Sequence, residues 1–506
     1  MCGIVGILGH DYIAQDVYDG LVTLQHRGQD AAGMITYNNR FHIRKDFGLV
    51  KDVFHTRHMK RLKGYAGVGH TRYATIGKGN LEEIQPFIGP APFGVVLAHN
   101  GNVFNAYDLK EEIFKKDHRL VNSDSDAEVL LNLFTKALTK QNADRLEAKH
   151  IYKAVESVFA RAEGAYSVVS YIARQGMIAF RDPYGIRPLL FGKREKGLIT
   201  DYIFASESVT LDILGFKYIK DIKPGEVVFI SEKDRKVHSK VLTGKKHIPC
   251  IFEYIYFSRP DSILDSISVY KSRLRMGRRL AKKIKKANLD IDVVMPVPDS
   301  SRTAALTLAD SLNIKYREGL IKNRYIGRTF IMPGQRIRKK SIKYKLNPMK
   351  LEIKGKKILL VDDSIVRGNT SRQIVQMVKD AGAKKVYFCS YSAPIISPCL
   401  YGIDIPTKEE LIASSNTVDE IQKFIGADAL IYEDLKDSFE SCMVKGGPKD
   451  FCMACFNKKY KTGNIDKSIL KKHAEARLKE KQKCEPAPDV GILGEGTESD
   501  GQLNLV

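Results

Sequence analysis

The sequence predicts two joined halves of mixed α and β structure: an α+β N-terminal half and an α/β C-terminal half built on a parallel sheet. Three observations carry this. Up to about residue 230, short alternating apolar runs punctuated by Gly, Asn and Asp read as strands, with amphipathic helical stretches between them. After about residue 245, strand-like runs alternate with helical ones, the pattern of crossover connections in a parallel sheet. The chain of 506 residues is 43% apolar and 28% charged, enough core material for two or three folded domains.

In chain order, AGVGHTRYAT (66–75), FGVVLAHNGNV (93–103) and GAYSVVSYIA (164–173) are predicted strands. DAEVLLNLFTKAL (126–138) is a predicted helix. Lys240 to His247 reads as a linker, which gives domains of 2–245 and 246–463. VVMPVP (293–298) is a strand followed by a helix from about 301. KILLVDD (357–363) is a strand followed by a helix from about 370, with Ile374, Val375 and Val378 on its inner face. Residues 464–506 are expected to form a charged, disordered tail. Its first part, 466–483, is basic and helix-prone, while 484–506 has five acids and no Lys or Arg.

Charge and cysteine usage narrow the function. Lys and Arg number 82 against 59 Asp and Glu, a net +23, which favours anionic partners such as phosphorylated metabolites. The excess is concentrated in 271–287, with nine basic residues and no acid, and in 322–356, with twelve basic residues and one acid. Such runs form either solvated helix faces or a positive field over a polyphosphate site. No apolar run approaches the roughly 18 residues of a membrane span. The N-terminus has no basic leader, so no secretory signal is read. Eight cysteines do not make a disulfide scaffold; a reducing, cytoplasmic setting is expected, in which thiols react or bind metal.

Cys2 follows Met1, and a small second residue favours Met removal. The freed α-amino group, with a reference pKa of about 7.7–8.0, could serve as base for its own thiol. Acyl transfer also needs oxyanion donors, which Asn100 and the Gly101 N–H offer at a strand end. An amino-acid head group needs a cation and an anion, and Arg72 and Asp126 suit these roles. Taken singly, Asn100-Gly101 is an ordinary turn, Arg72 a surface ion pair and Asp126 a helix N-cap. Together with their neighbours they make a pattern. CGIVG (2–6), LQHRGQDAAG (24–33), GHTRYAT (69–75), HNGN (99–102) and SDSDAE (123–128) resemble the glutaminase domain of N-terminal-nucleophile amidotransferases over about 2–240. The resemblance implies a four-layer αββα hydrolase fold. It also implies Cys2 as nucleophile and base, Asn100 and Gly101 as oxyanion hole, and Arg72 and Asp126 as glutamine-binding residues.

KKILLVDDSIVRGNTSRQIVQMVKDAGA (356–383) places two adjacent carboxylates at the C-terminal end of a strand, before a short polar loop and a helix start. Ligands bind there in open α/β sheets, and backbone N–H groups at such a helix start cradle phosphate. Two carboxylates can also hold a hydrated Mg²⁺. The Gly-Lys-Ser/Thr ending of a Walker A loop is absent. This segment resembles the phosphoribosyl-pyrophosphate loop of type I phosphoribosyltransferases, and the likeness runs from about 250 to 463. It implies that Asp362 and Asp363 bind ribose hydroxyls and Mg²⁺, with Ser300 of VVMPVPDSS joining the metal set. Ser364, Val366, Arg367, Gly368, Asn369 and Thr370 would bind the 5-phosphate. KNRYIGRTFI (322–331) and the basic run after it resemble that family's mobile lid, with Arg324, Arg328 and Lys345 offsetting pyrophosphate charge.

Cys452 and Cys455 form C-x-x-C, a spacing that suits zinc, an iron–sulfur cluster or a redox pair. Both halves on one chain resemble the glutamine phosphoribosylpyrophosphate amidotransferases. The contexts of Cys250, Cys399, Cys452 and Cys455 match the cluster-bearing subgroup, which implies a [4Fe–4S] cluster. Cys442 lacks such a context, Cys389 reads as strand core and Cys484 as tail. The resemblance further implies purine-nucleotide feedback inhibition and a homotetramer, with no membrane or nucleic-acid partner. Two other readings are a different glutamine amidotransferase and a regulatory protein that senses phosphoribosyl pyrophosphate. The first would lack VDDSIVRGNT, and the second has no need of a glutaminase site.

Overall fold

The computed structural model describes residues 2–73, 80–323, 346–463, 465–466 and 468–475. The first half is built on two antiparallel sheets. One has seven strands in the spatial order Lys217–Asp221, Leu190–Lys196, Ile199–Ala205, Gly3–Leu8, Ala66–Arg72, Ala31–Asn38 and Arg40–Phe47. The other has six: Val237–Val241, Glu226–Ser231, Gly176–Arg181, Gly164–Ile172, Val95–Val103 and Phe87–Gly89. Alternate side chains of each sheet meet between them, among them Ile4, Leu8, Val96, Ala98, Val169 and Val228. The sheets approach closely at Gly6, where a Cβ would fall 2.2 Å from Val169 Cγ1.

The outer faces are covered by helices. Ala14–Thr23 lays Val17 and Leu21 on the first sheet. Asp126–Thr139 and Ala148–Arg161 cover the second through Leu130, Phe134, Ile151 and Val155. The result is the expected αββα stack. Gly164–Ile172 is buried at every position, because its two faces meet the opposite sheet and the helix layer.

The second half holds a five-stranded sheet in the order Lys315–Tyr316, Val293–Pro296, Lys357–Asp362, Lys385–Ser390 and Ala429–Tyr432, every pairing parallel. Val269–Lys286 and Arg302–Leu312 pack on one face. Asn369–Asp380 and Val418–Ile425 pack on the other. Ile374, Val375 and Val378 point inward as expected. The basic run at 271–287 resolves as an amphipathic helix: Met276, Leu280 and Ile284 are buried, while Lys271, Arg278, Lys282, Lys285 and Lys286 face solvent. Those five make a solvated face, whereas Arg273 is buried, donates to the Tyr254, Tyr256 and Ser258 carbonyls and places positive charge near Asp363.

The segment read as a linker is extended but pinned. Leu242 N–H donates to Gly225 O and Ile248 N–H to Tyr184 O. Across the seam runs a buried ionic network. Arg27 pairs with Glu207 and, over 2.7 Å, with Glu253, which also meets Arg187 at 3.4 Å. The start of the tail agrees with its helix-prone reading and departs from the disordered one. Residues 468–475 are helical. Ile469 and Leu470 pack on the large core of the second half, and Lys472 lies 3.5 Å from Asp108 of the first. These two apolar positions give the charged segment a surface to dock on. Residues 476–506, including Cys484, lie outside the described residues.

Candidate active sites

Two clusters of chemically active side chains form, one in each half. In the first, Cys2 sits half-buried just before the Gly3–Leu8 strand. Its N–H donates to Asn100 Oδ1 over 3.1 Å, and its thiol lies 4.0 Å from Tyr73 O. Burial pushes the thiol pKa up, with Asp126 adding to the rise, while Tyr73 O and the Arg72 guanidinium oppose it. Cys2, Asn100, Arg72 and Asp126 therefore converge, although they come from four separate segments.

Three readings made of these residues singly are corrected. Asn100 and Gly101 are not a turn at a strand end. They lie inside the Val95–Val103 strand, opposite Ser167 and Tyr166. The Asn100 Nδ2 is a buried donor without a partner among the described residues. Arg72 is no surface ion pair: it is buried at the end of its strand and donates to Glu83 Oε2 over 2.6 Å. Ser125, not Asp126, caps the helix, its hydroxyl accepting from Ala127 N–H. Asp126 is thereby free to point inward, where Val103 N–H donates to one carboxylate oxygen and His99 Nε2 lies 2.9 Å from the other. Burial raises the Asp126 carboxyl, but His99 and these hydrogen bonds outweigh it, and the group is held below the ordinary range. His99 and Glu83 were not singled out from sequence. His99 stands in the quoted HNGN motif, so a signal for it was present.

In the second half, Asp362 ends the Lys357–Asp362 strand and Asp363 follows it, both buried. Ser300 Oγ donates to Asp363 Oδ2 over 2.7 Å, and Ser364 Oγ to Asp363 Oδ1 over 2.6 Å. Ser301, not predicted, donates to Asp362 Oδ1 at 3.4 Å. Burial pushes both carboxyls up, and their mutual repulsion raises Asp362 further. Gly368, at φ 75°, caps the Asn369–Asp380 helix in the left-handed conformation that glycine tolerates. Ser364 to Thr370 thus curls over a helix start beside the carboxylate pair. Arg367 pairs with Glu410 at 2.9 Å. Arg324, Arg328 and Lys345 lie outside the described residues.

Cys250, Cys399, Cys452 and Cys455 are all buried. Cys250 and Cys452 form a parallel bridge, Ile251 N–H donates to Cys452 O, and Ile396 and Ser397 N–H both donate to Cys455 O. Burial raises the Cys455 thiol, and the other three cysteines raise it further, so the four act on one another through space. Among the described residues, no three of their sulfurs come within 4.8 Å of one another. Cys442 is buried elsewhere, beside Ser272 and Arg275, and Cys389 is strand core.

Comparison with known proteins follows the same division. A family described as glutamine amidotransferase domain matches residues 70–212, and one described as phosphoribosyl transferase domain matches 265–394. The amidophosphoribosyltransferase of Pseudomonas aeruginosa is 50% identical over 94% of this chain and 96% of its own. Those of Escherichia coli and Saccharomyces cerevisiae are 48% and 44% identical, over 93% and 97% of this chain and 94% and 99% of theirs. Among solved structures, the glutamine phosphoribosylpyrophosphate amidotransferase from B. subtilis, complexed with ADP and GMP, superposes with a TM-score of 0.80 at 38% identity. That likeness covers 92% of this chain and 98% of the other.

Proposed function

The chain belongs to the amidophosphoribosyltransferase family, and from that premise we propose that it carries out the first committed step of purine synthesis. Ammonia released from glutamine displaces pyrophosphate from C1 of 5-phosphoribosyl 1-pyrophosphate, giving 5-phosphoribosylamine, glutamate and pyrophosphate. One observation carries the reading: a nucleophile–oxyanion cluster around Cys2 and a carboxylate pair at a phosphate-cradling helix start stand on one chain.

At the first site, removal of Met1 would make the Cys2 nitrogen an α-amino base. The thiol needs one, because burial keeps it protonated at neutral pH. Attack on the amide carbon moves negative charge onto the amide oxygen, and Asn100 Nδ2 and the Gly101 N–H donate to it. The amide nitrogen leaves as ammonia, and water then releases glutamate from the Cys2 thioester. Arg72, its guanidinium braced by Glu83, pairs with the substrate carboxylate, and Asp126, steadied by His99, takes the ammonium.

At the second site, Asp362 and Asp363 accept from ribose hydroxyls while Ser364, Val366, Arg367, Gly368, Asn369 and Thr370 enclose the 5-phosphate. Ser300, Asp362 and Asp363 would hold Mg²⁺, which when bound would offset pyrophosphate charge. Two adjacent buried carboxyls, both pushed up in pKa, are a donor set that a cation relieves. Arg324, Arg328 and Lys345 are assigned to the departing pyrophosphate.

Cys250, Cys399, Cys452 and Cys455 would hold a [4Fe–4S] cluster, which supplies no step of turnover. Support comes from four buried thiols, drawn from distant parts of the chain, that lie close enough to act on one another electrostatically. Purine nucleotides as feedback inhibitors, a homotetramer, a cytoplasmic setting and domains at 2–245 and 246–463 complete the reading. Among the described residues, no helix is long and apolar enough to cross a membrane.

The test is pyrophosphate release by anaerobically purified protein with Mg²⁺ and phosphoribosyl pyrophosphate, supplied with glutamine or ammonium. Wild type should respond to both. Cys2→Ala should lose only the glutamine response. Loss of both responses in Cys2→Ala at high ammonium would sink the two-site assignment.

A further inference from the structure

The loop that carries Cys399 reaches across the seam and rests on the strand that carries the oxyanion donors. Asn102 Nδ2 donates to Leu400 O over 2.9 Å. Two residues on, Gly402 has φ 95°, and a Cβ there would stand 2.7 Å from both the carbonyl carbon and the oxygen of Gly101. Gly101 is confined on another side as well: a Cβ on it would fall 1.9 Å from Ala165 O. The Gly101 residue therefore sits in a slot with the Ala165 backbone as one wall and Gly402 as another. Both walls are main chain, and neither can swing aside as a side chain would.

We propose that Gly402 is a positioning residue for glutamine hydrolysis, its bare Cα letting the second half of the chain close on Gly101 and hold that donor against the developing oxyanion. The proposal rests on the assignment of Asn100 and Gly101 as the oxyanion hole. An oxyanion donor acts only where it is fixed before charge develops, and the benefit falls steeply with displacement. On one side Gly101 is held by pairing with the Gly164–Ile172 strand; on the other it is backed by Gly402, tied down by the Asn102–Leu400 hydrogen bond.

The experiment uses the full chain in three variants: Gly402→Ala, Asn102→Ala and Asn100→Ala. Four quantities are read: kcat and KM for glutamine, affinity for an aldehyde analogue of glutamine, alkylation of Cys2 by iodoacetamide, and ammonium-dependent pyrophosphate release. The aldehyde adds to the thiol as a tetrahedral hemithioacetal and needs the oxyanion hole, whereas alkylation forms no oxyanion. Gly402→Ala should lower glutamine kcat by roughly 10–100-fold, less than or at the low end of deleting a donor outright. KM should change little, aldehyde binding should weaken by the same factor as kcat, and alkylation and the ammonium reaction should stay at wild-type rates. Asn102→Ala should do the same to a smaller extent, and it decides the matter if Gly402→Ala does not fold. Unchanged glutamine kcat in both variants overturns the proposal, as does a joint fall of all four quantities in both. Normal glutamine kcat in Asn100→Ala would instead overturn the oxyanion-hole assignment on which the proposal stands.

Discussion

Glu433 shows how one buried group ties stability to pH. It follows the Ala429–Tyr432 strand and is almost fully buried. One carboxylate oxygen accepts from Asp434 N–H, while the other has no partner among the described residues. Burial pushes its pKa up to about 8, and nearby Asp437 adds to the rise. The folded protein therefore binds this proton more tightly than the unfolded chain. Its stabilising effect is complete below the ordinary glutamate range and is lost as pH rises through about 8. Relative to Glu433→Gln, which keeps the shape without the charge, wild type should lose melting temperature progressively between about pH 5 and pH 8. Equal pH profiles for the two proteins would show that Glu433 is not held neutral.

The pair Val269–Lys286 and Arg302–Leu312 shows how close helix packing depends on one small residue. Gly277 lies so near the second helix that a Cβ would fall 2.2 Å from Ala304 O. In an isolated helix Gly→Ala gains about 1 kcal/mol. Here the clash is with backbone, so the helices must separate and the packing of Met276 and Leu280 loosens with them. Gly277→Ala should cost a net 1–3 kcal/mol or so, read as a lower midpoint in urea unfolding. A higher midpoint would mean that the helices are not in backbone contact. The site elements follow similar logic. Gly368 lets the Ser364–Thr370 loop turn into its helix, and the parallel register sets Asp362 opposite Ser390 at the sheet's C-terminal edge.

At the scale of the whole molecule, the halves are joined by buried charge. Glu253 accepts from Arg27 and Ser258 and pairs with Arg187, all of them buried. Burial opposes the charge of Arg27, yet Glu253 and Glu207 outweigh it and its pKa stays raised. Glu253→Ala leaves buried guanidinium groups short of a counter-charge and should destabilise by about 3–5 kcal/mol. The expected readout is a lower melting temperature with both halves affected, and a change confined to one half would contradict a shared network. The cysteine set joins Cys250 at the seam to Cys452 and Cys455 near the end of the described chain. Anaerobically purified protein should contain about four irons per chain, and zinc in their place would overturn the cluster assignment.

The two-half architecture, the strand that ends at Asp362, the helix after Gly368 and the grouping of Cys2, Asn100, Arg72 and Asp126 were legible in the sequence. Local periodicity dictates elements, and reactive residue types stand in short motifs that do not depend on the rest of the chain. Tertiary structure decided the rest. Only packing shows that Arg72 is buried against Glu83, that His99 braces Asp126, and that Ser125 frees Asp126 from capping duty. Gly402 carries no sequence signal for the glutaminase site, because the contact that matters joins positions 101 and 402 across the seam. Composition likewise reads 466–483 as basic and helix-prone, but that Ile469 and Leu470 dock follows only from the folded surface that receives them. Sequence patterns report what a segment prefers by itself; burial, pairing and close approach arise only when distant segments share one space.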